Sequence, residues 1–354
     1  MEASKEMTLL TNSCTIIRSP SVQRAEPSAK IPISIGSNGP PVRRALVTGG
    51  AGFVGHGVVA ALAQHNIKAR VLDVAPPHPL WPAGVEHLVG DVRDRALVKA
   101  AAQSCDVIFH VAGLWDGGPN GEERMRSINI GGTRAVLATG KPVVYTSSSI
   151  TCGFGDAHDF GTEDGPSEDP NHPIRGTGRV YRETKLQCER MVSESDGWIV
   201  NPDYVIGAGD VGGVVTKPLL VAARLPLFLA PIGGKCFVGV RDVGQGHVRA
   251  LMHGKPGRRY LLGSENLLYG DVIRLLAQLM NKHHLNLPLP RRIPRTLLKI
   301  PFKHPFTQTL GALDQMSLIR FRSNARARDE LNWIPSPVDN SLREMVHWTL
   351  SRAT

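Results

Sequence analysis

Between residues 44 and 148 the chain alternates short β-branched apolar runs with stretches of helical periodicity. "RALVTG", "KARVLD", "VEHLVGDV", "DVIFHVAG" and "KPVVYTSS" predict five strands. Between them, helices are predicted to about Asn66, over 94–104 and over about 121–139. Apolar runs joined by helices are what a parallel sheet covered on both faces requires. The expectation is therefore an α/β fold, a Rossmann-type doubly wound sheet over residues 43–210. After about Asp210 the alternation breaks into Pro-rich and basic pieces, with helices expected near 242–253, 270–281 and 338–352. Residues 211–354 thus read as a smaller, mostly helical C-terminal substrate lobe, with strands such as "CFVGV" and "RYLLGS" returning to the sheet.

Composition changes this picture little. The 354 residues are 42% hydrophobic with 37 glycines, as expected of a soluble α/β chain. The formal net charge of +10 favours phosphates, nucleotides or anionic surfaces. Its basic residues are scattered without interleaved aromatics or zinc-finger spacing, so nucleic acid is not an expected partner. Cys14, Cys105, Cys152, Cys188 and Cys236 are widely spaced and form no CxxC pair, which points to a reducing compartment and no metal site. The most apolar stretch, "VVTKPLLVAARLPLFLAPIGG", is interrupted by Lys217 and Arg224 and is not expected to span a membrane. Residues 1–42 carry Glu2, Glu6 and Glu26, which suit a disordered extension better than a targeting segment, and a cytoplasmic location is expected. The basic, apolar segment "LPLPRRIPRTLLKIPFKHPF" (287–306) reads either as a lid over the substrate lobe or as a peripheral membrane contact.

Candidate chemistry gathers at the strand ends. In "LVTGGAGFVGHGVVAALA", Gly49, Gly52 and Gly55 follow a strand and open a helix, with Phe53 and Val54 between the last two. Such a turn brings backbone against a pyrophosphate at a helix N-terminus. Eighteen residues beyond Gly55, Asp73 ends the second strand, where a carboxylate accepts the adenosine ribose hydroxyls and repels a 2′-phosphate. NAD is therefore expected, with NADP left open by the nearby Arg70 and His78. Asp91 and Val92 end the third strand beside the expected adenine, and Ala112 and Gly113 end the fourth, small enough for a cofactor to lie on the backbone.

Two further stretches give the cofactor something to do. "YTSSSITCGFG" puts three serines after the fifth strand, and "RVYRETKLQCERMV" sets Tyr181 and Lys185 four apart on one helix face. A neighbouring ammonium and a positive nicotinamide favour a phenolate, which makes a tyrosine an acid or a base.

The elements "TGGAGFVG", Asp73, "GDVRD", "HVAG", "NIGGT", "YTSS", "YRETK" and "NPDYVIGAGD", spread over residues 43–255, resemble the extended short-chain dehydrogenase/reductase superfamily. The resemblance implies that Ser148 is the catalytic serine, with Ser149 the alternative if the register slips by one. It also implies that Ser148 holds the substrate oxygen near Tyr181, and that Lys185 binds the nicotinamide ribose and tunes Tyr181. Asn129 matches the family's helix-distorting asparagine, and Asn201 and Pro202 match the loop bordering the nicotinamide. A homodimer is the family's common assembly.

"YTSSS", "RDVGQGHVRAL" and "GRRYLLGSENL" look most like the 3β-hydroxysteroid dehydrogenase, dihydroflavonol reductase and hopanoid-associated sugar epimerase branches. The small-molecule substrate implied is a secondary alcohol or ketone on a cyclic skeleton, with Leu114, Trp115 and "LPLFLAPI" expected to wall an apolar pocket. A nucleotide-sugar epimerase would use the same three catalytic groups. A third reading, a nucleotide-binding scaffold without turnover, follows from two short connections, "LATGKPVVYTSS" and "SESDGWIVNP", and from the acidic insert that separates Ser148 from Tyr181 by 33 residues.

Overall fold

The computed structural model of the chain describes residues 34–36, 39–168, 173–291 and 313–352. The strands are β1 (Arg44–Thr48), β2 (Lys68–Asp73), β3 (Glu86–Val89), β4 (Val107–His110), β5 (Val143–Thr146), β6 (Trp198–Pro202) and β7 (Tyr204–Ile206). They continue with β8 (Leu227–Pro231), β9 (Gly234–Gly239), β10 (Arg259–Leu262), β11 (Glu265–Leu268), β12 (Leu285–Leu289) and β13 (Ile319–Arg320). Seven of them form one sheet in the order β10-β6-β5-β4-β1-β2-β3, and every pairing in it is parallel. The doubly wound sheet expected from the alternation is present.

Alternation along each strand builds a core on both faces. Ala45 and Val47 of β1, Val71, Phe109, Val144 and Val200 pack toward α1 (Phe53–Gln64). Leu46, Leu72, Ile108, Val143, Tyr145 and Ile199 face the other way, toward α2 (Arg95–Ala102) and its neighbours. Every residue of β4 and β5 is buried. Each such aliphatic side chain stabilises the fold by roughly 1.5–3 kcal/mol.

The helix expected over 121–139 is not continuous. It runs as α3 (Gly121–Met125), a π-helical turn (Arg126–Ile130) and α4 (Gly131–Leu137). After the long α5 (Gly176–Ser193) come α6 (Thr216–Arg224), α7 (Val240–His253), α8 (Tyr269–Leu279), α9 (Ala325–Leu331) and α10 (Val338–Ser351). A third core, with Leu219, Phe237, Tyr269, Leu276, Leu342 and Met345, holds the later lobe together.

Two expectations about that lobe need correction. "RYLL" does join the main sheet as β10 beside β6, but "CFVGV" does not. As β9 it pairs with β7, β11 and β13 in a separate four-stranded sheet, because a buried apolar strand can be satisfied by any sheet that covers it. "LPLFLAPI" does not wall the pocket, although Phe228 packs on the third core and Ala230 is buried. It forms β8, a two-stranded parallel ribbon with β12, in which Leu227 and Leu229 stand opposite Leu285 and Leu287, all four exposed.

The two halves of the chain interlock. α7 lies on α1, with Gly244 against the Gly57 carbonyl, and β10 completes the sheet begun by β1 to β6. The acidic insert is tied down as well: Gly155 bridges to Phe321, Gly161 to Arg322, and buried Glu163 accepts the Leu261 amide at 2.8 Å. Of the expected N-terminal extension, residues 1–33, 37 and 38 lie outside the described residues, and the Gly36 amide donates to the Leu251 carbonyl of α7. The expected lid or membrane segment 287–306 is described only to Arg291. Among the described residues no helix is long and apolar enough to cross a membrane.

Candidate active site

Apart from the buried Asn129 and Asn201, the expected catalytic and cofactor-binding residues line one cavity of about 700 Å³ at the carboxyl edge of the main sheet. Gly49, Gly52, Phe53, Val54, Gly55, Asp73, Asp91, Val92, Ala112 and Gly113 line it, and so do Ser148, Tyr181, Lys185 and Pro202.

The first turn is shaped for close approach. Gly49 has a φ of +71°, and a Cβ there would lie 2.6 Å from the Ala112 Cα; one at Gly55 would lie 2.0 Å from the Gly49 carbonyl oxygen. Gly52 caps α1 without a side-chain hydrogen bond, so the amides of the helix's first turn are left for a ligand. Asp73 is fixed by the Ala51 amide on Oδ2 and the Ala75 amide on Oδ1, both at 2.9 Å. Neither basic neighbour in sequence stands by it. Arg70 pairs with Glu86 at 2.9 Å and donates to the Ala101 carbonyl, and His78 Nε2 bonds the Gly209 carbonyl at 2.8 Å. At the next strand end the Arg93 guanidinium holds the Asp91 carboxyl below the usual carboxylate range.

The π-helical turn locates Asn129. Its Oδ1 accepts the Leu114 amide at 2.7 Å, while Nδ2 donates to the Leu114 carbonyl and to Thr184 Oγ1. One buried side chain thereby ties the end of β4 to α5, one residue from Lys185.

The three serines have different surroundings. Ser147 is buried and donates to Glu189 Oε1 at 2.5 Å. Ser149 is 2% exposed and begins a single 3₁₀ turn. Ser148 alone keeps part of its surface open, and its Oγ accepts only a long bond, 3.3 Å, from the Ile150 amide. Tyr181 is also partly open. Lys185 is 3% exposed, donates from Nζ to the Thr146 carbonyl at 2.8 Å, and lies 5.7 Å from the Tyr181 ring centroid. A Cβ on Gly113 would approach that ammonium to 3.1 Å.

Behind these groups lies a polar layer that the sequence did not disclose. Glu189, one turn beyond Lys185 on α5, accepts from Ser147, from Thr151 Oγ1 at 2.6 Å and from Asn201 Nδ2 at 2.7 Å, with Arg259 at 3.6 Å. Asn201 also donates to the Ser148 carbonyl. His110 bridges Thr48 and Thr133, and His247 Nε2 meets Thr146 Oγ1 at 2.7 Å. Burial, and for His110 also the Lys185 ammonium, lowers these imidazoles to about 3 and about 4, so both are neutral at physiological pH. A lone Glu inside "QCERMV" reads as a solvated helix face; only its four residues of separation from Lys185 hinted otherwise.

Residues 46–206 match the model of the 3-beta hydroxysteroid dehydrogenase/isomerase family. The mouse protein "Short-chain dehydrogenase/reductase family 42E member 1" is 30% identical over 358 residues, covering 87% of each chain. A "Putative dihydroflavonol 4-reductase" from Synechocystis is 27% identical over 335 residues, covering 86% of this chain and 93% of its own. The crystal structure of gox2253 superposes with a TM-score of 0.73 at 25% identity, covering 87% of this chain and 98% of that one.

Proposed function

Because the chain belongs to the short-chain dehydrogenase/reductase superfamily, in its 3β-hydroxysteroid dehydrogenase and dihydroflavonol reductase branch, we propose that it interconverts a secondary alcohol and a ketone on a cyclic small molecule. It is an NAD(P)-dependent oxidoreductase. The observation that carries the finer reading is the meeting of Ser148, Tyr181 and Lys185 with the glycine turn and Asp73 in one cavity.

The residues present fit a dinucleotide. The turn at Gly49 and Gly55 has no room for side chains, the first amides of α1 are free for a pyrophosphate, and the fixed Asp73 carboxylate suits a ribose diol. When bound, the nicotinamide supplies the hydride acceptor or donor. Ser148 Oγ holds the substrate oxygen. Tyr181 takes the hydroxyl proton during oxidation and returns it during reduction. Lys185, anchored on the Thr146 carbonyl, keeps a positive charge beside the phenol and stabilises it while deprotonated. Leu114 and Trp115, with Val214 and Val215, offer the skeleton an apolar wall.

A cofactor-reduction screen over sterols, flavonoids and nucleotide sugars tests the proposal, with NAD and NADP run in parallel. Steady NADH production with a cyclic secondary alcohol is expected. Turnover of a nucleotide sugar with tightly held NAD and no net reduction would replace it with the epimerase reading.

NAD is the proposed cofactor, since Arg70 and His78 are engaged elsewhere and Asp73 opposes a 2′-phosphate. Asp73→Asn removes the charge with little change of shape. Its ratio of kcat/KM for NADP over NAD is expected to rise about tenfold, roughly the effect of 1.4 kcal/mol. An unchanged ratio would remove Asp73 from cofactor selection.

A further inference from the structure

The segment "RDVGQGHVRAL" lies within α7, and glycine contacts let this helix press against the first half of the chain. A Cβ on Gly57 would lie 2.5 Å from the Val240 carbonyl oxygen, and one on Gly244 would lie 2.1 Å from the Gly57 carbonyl oxygen. That close approach brings His247, three residues beyond Gly244 and fully buried, against the end of β5.

The hydrogen bonds of this imidazole have a fixed sense. Nδ1 donates to the Val243 carbonyl at 2.8 Å, so Nε2 carries no proton and accepts from Thr146 Oγ1 at 2.7 Å. Among the described residues this is the only hydrogen bond of the Thr146 hydroxyl, and the Thr146 carbonyl is the only hydrogen-bond acceptor of Lys185 Nζ. The sheet steadies Thr146 from one side alone. β4 pairs with β5 only as far as Tyr145, whereas on the β6 side the Ser147 amide donates to the Val200 carbonyl at 2.8 Å. The His247 bond thus supplies a second hold on the residue that carries the ammonium.

We propose that His247 is a positioning residue for the reaction: through Thr146 it sets where the Lys185 ammonium stands, and so how strongly that charge acts on Tyr181 and on the nicotinamide ribose. This rests on the oxidoreductase reading and adds to it a residue that does not line the cavity. The ammonium lies 5.7 Å from the Tyr181 ring centroid, and its effect on the phenol falls as that separation grows. The seating of α7 on α1 is thereby coupled to the reacting groups.

His247→Leu and His247→Gln test the role together, since the glutamine amide oxygen can accept where Nε2 does and leucine cannot. With a cyclic secondary alcohol, kcat is expected to fall about tenfold or more in His247→Leu and to stay within about threefold in His247→Gln, as displacement of a reacting group predicts. Thr146→Val keeps the carbonyl, removes the hydroxyl and should reproduce the loss. The double variant, Thr146→Val with His247→Leu, should lose no more activity than either change alone. It also separates positioning from stability: with both polar partners gone no buried donor or acceptor is left unmet, so urea resistance should recover while kcat stays low. Recovery of kcat along with stability, or a kcat in His247→Leu within about twofold of the unmodified protein, would reduce His247 to a packing residue. Should His247→Leu not fold, Thr146→Val and the double variant carry the comparison. An unmodified protein that oxidises no alcohol would overturn the oxidoreductase reading, and NADH titration would then decide the role of His247. There His247→Leu is expected to bind about threefold or more weakly and His247→Gln like the unmodified protein, as a misplaced charged donor predicts; equal affinity in all three would overturn the role.

Discussion

Tyr181→Phe is expected to lower kcat for alcohol oxidation by about 10²–10⁴-fold, the contribution of a positioned acid or base. The change deletes one oxygen from a partly open ring and leaves its packing on α5 in place. Lys185 keeps its bond to the Thr146 carbonyl, so dinucleotide affinity should change far less than turnover. The two quantities separate cleanly when kcat is followed by NADH absorbance and affinity by fluorescence titration. A loss in kcat below about tenfold would mean that another group moves the proton.

Glu189→Leu is expected to be the most damaging single change away from the reacting groups. Its carboxylate gathers Ser147, Thr151 and Asn201 within 2.5–2.7 Å and faces Arg259 at 3.6 Å, in a place 7% exposed. Leucine would take this acceptor from all of them, leaving Thr151 and Asn201 only their bonds to the Ser148 carbonyl and to each other. Breaking a buried charged network from one side costs about 3–5 kcal/mol, whereas the pair itself adds little over an apolar replacement of both partners. Urea denaturation should register the loss, and kcat should fall too, since Ser148 sits between Ser147 and Thr151, whose positions Glu189 sets. Destabilisation under about 1 kcal/mol would reduce Glu189 to a bystander.

The sheet and its ligand edge were legible because each rests on a short-range rule. Two-residue alternation places Val47 and Leu46 on opposite faces, and glycine spacing before an apolar helix has few other uses. Ser148 could be named only through the resemblance; three consecutive hydroxyls are alike until burial separates them. What stayed hidden depends on partners far along the chain. Glu189 meets Ser147 across 42 residues, and Lys235 meets Asp203 only because β9 and β7 pair. Apolarity told that "CFVGV" would be a strand, but not which sheet would take it. The π-helical turn was likewise invisible to periodicity, since Asn129 sits inside an otherwise good helical pattern.

The interlock of the two halves limits how this enzyme's specificity can be re-engineered. A recombinant swap cut near residue 210 would import, along with new pocket walls, the helix that shields α1 and the outermost strand beside β6. A viable chimera must therefore carry over the matching surfaces of α1 and β6 from the same donor, or confine the graft to the segments before α7, where Val214, Val215 and Lys235 lie.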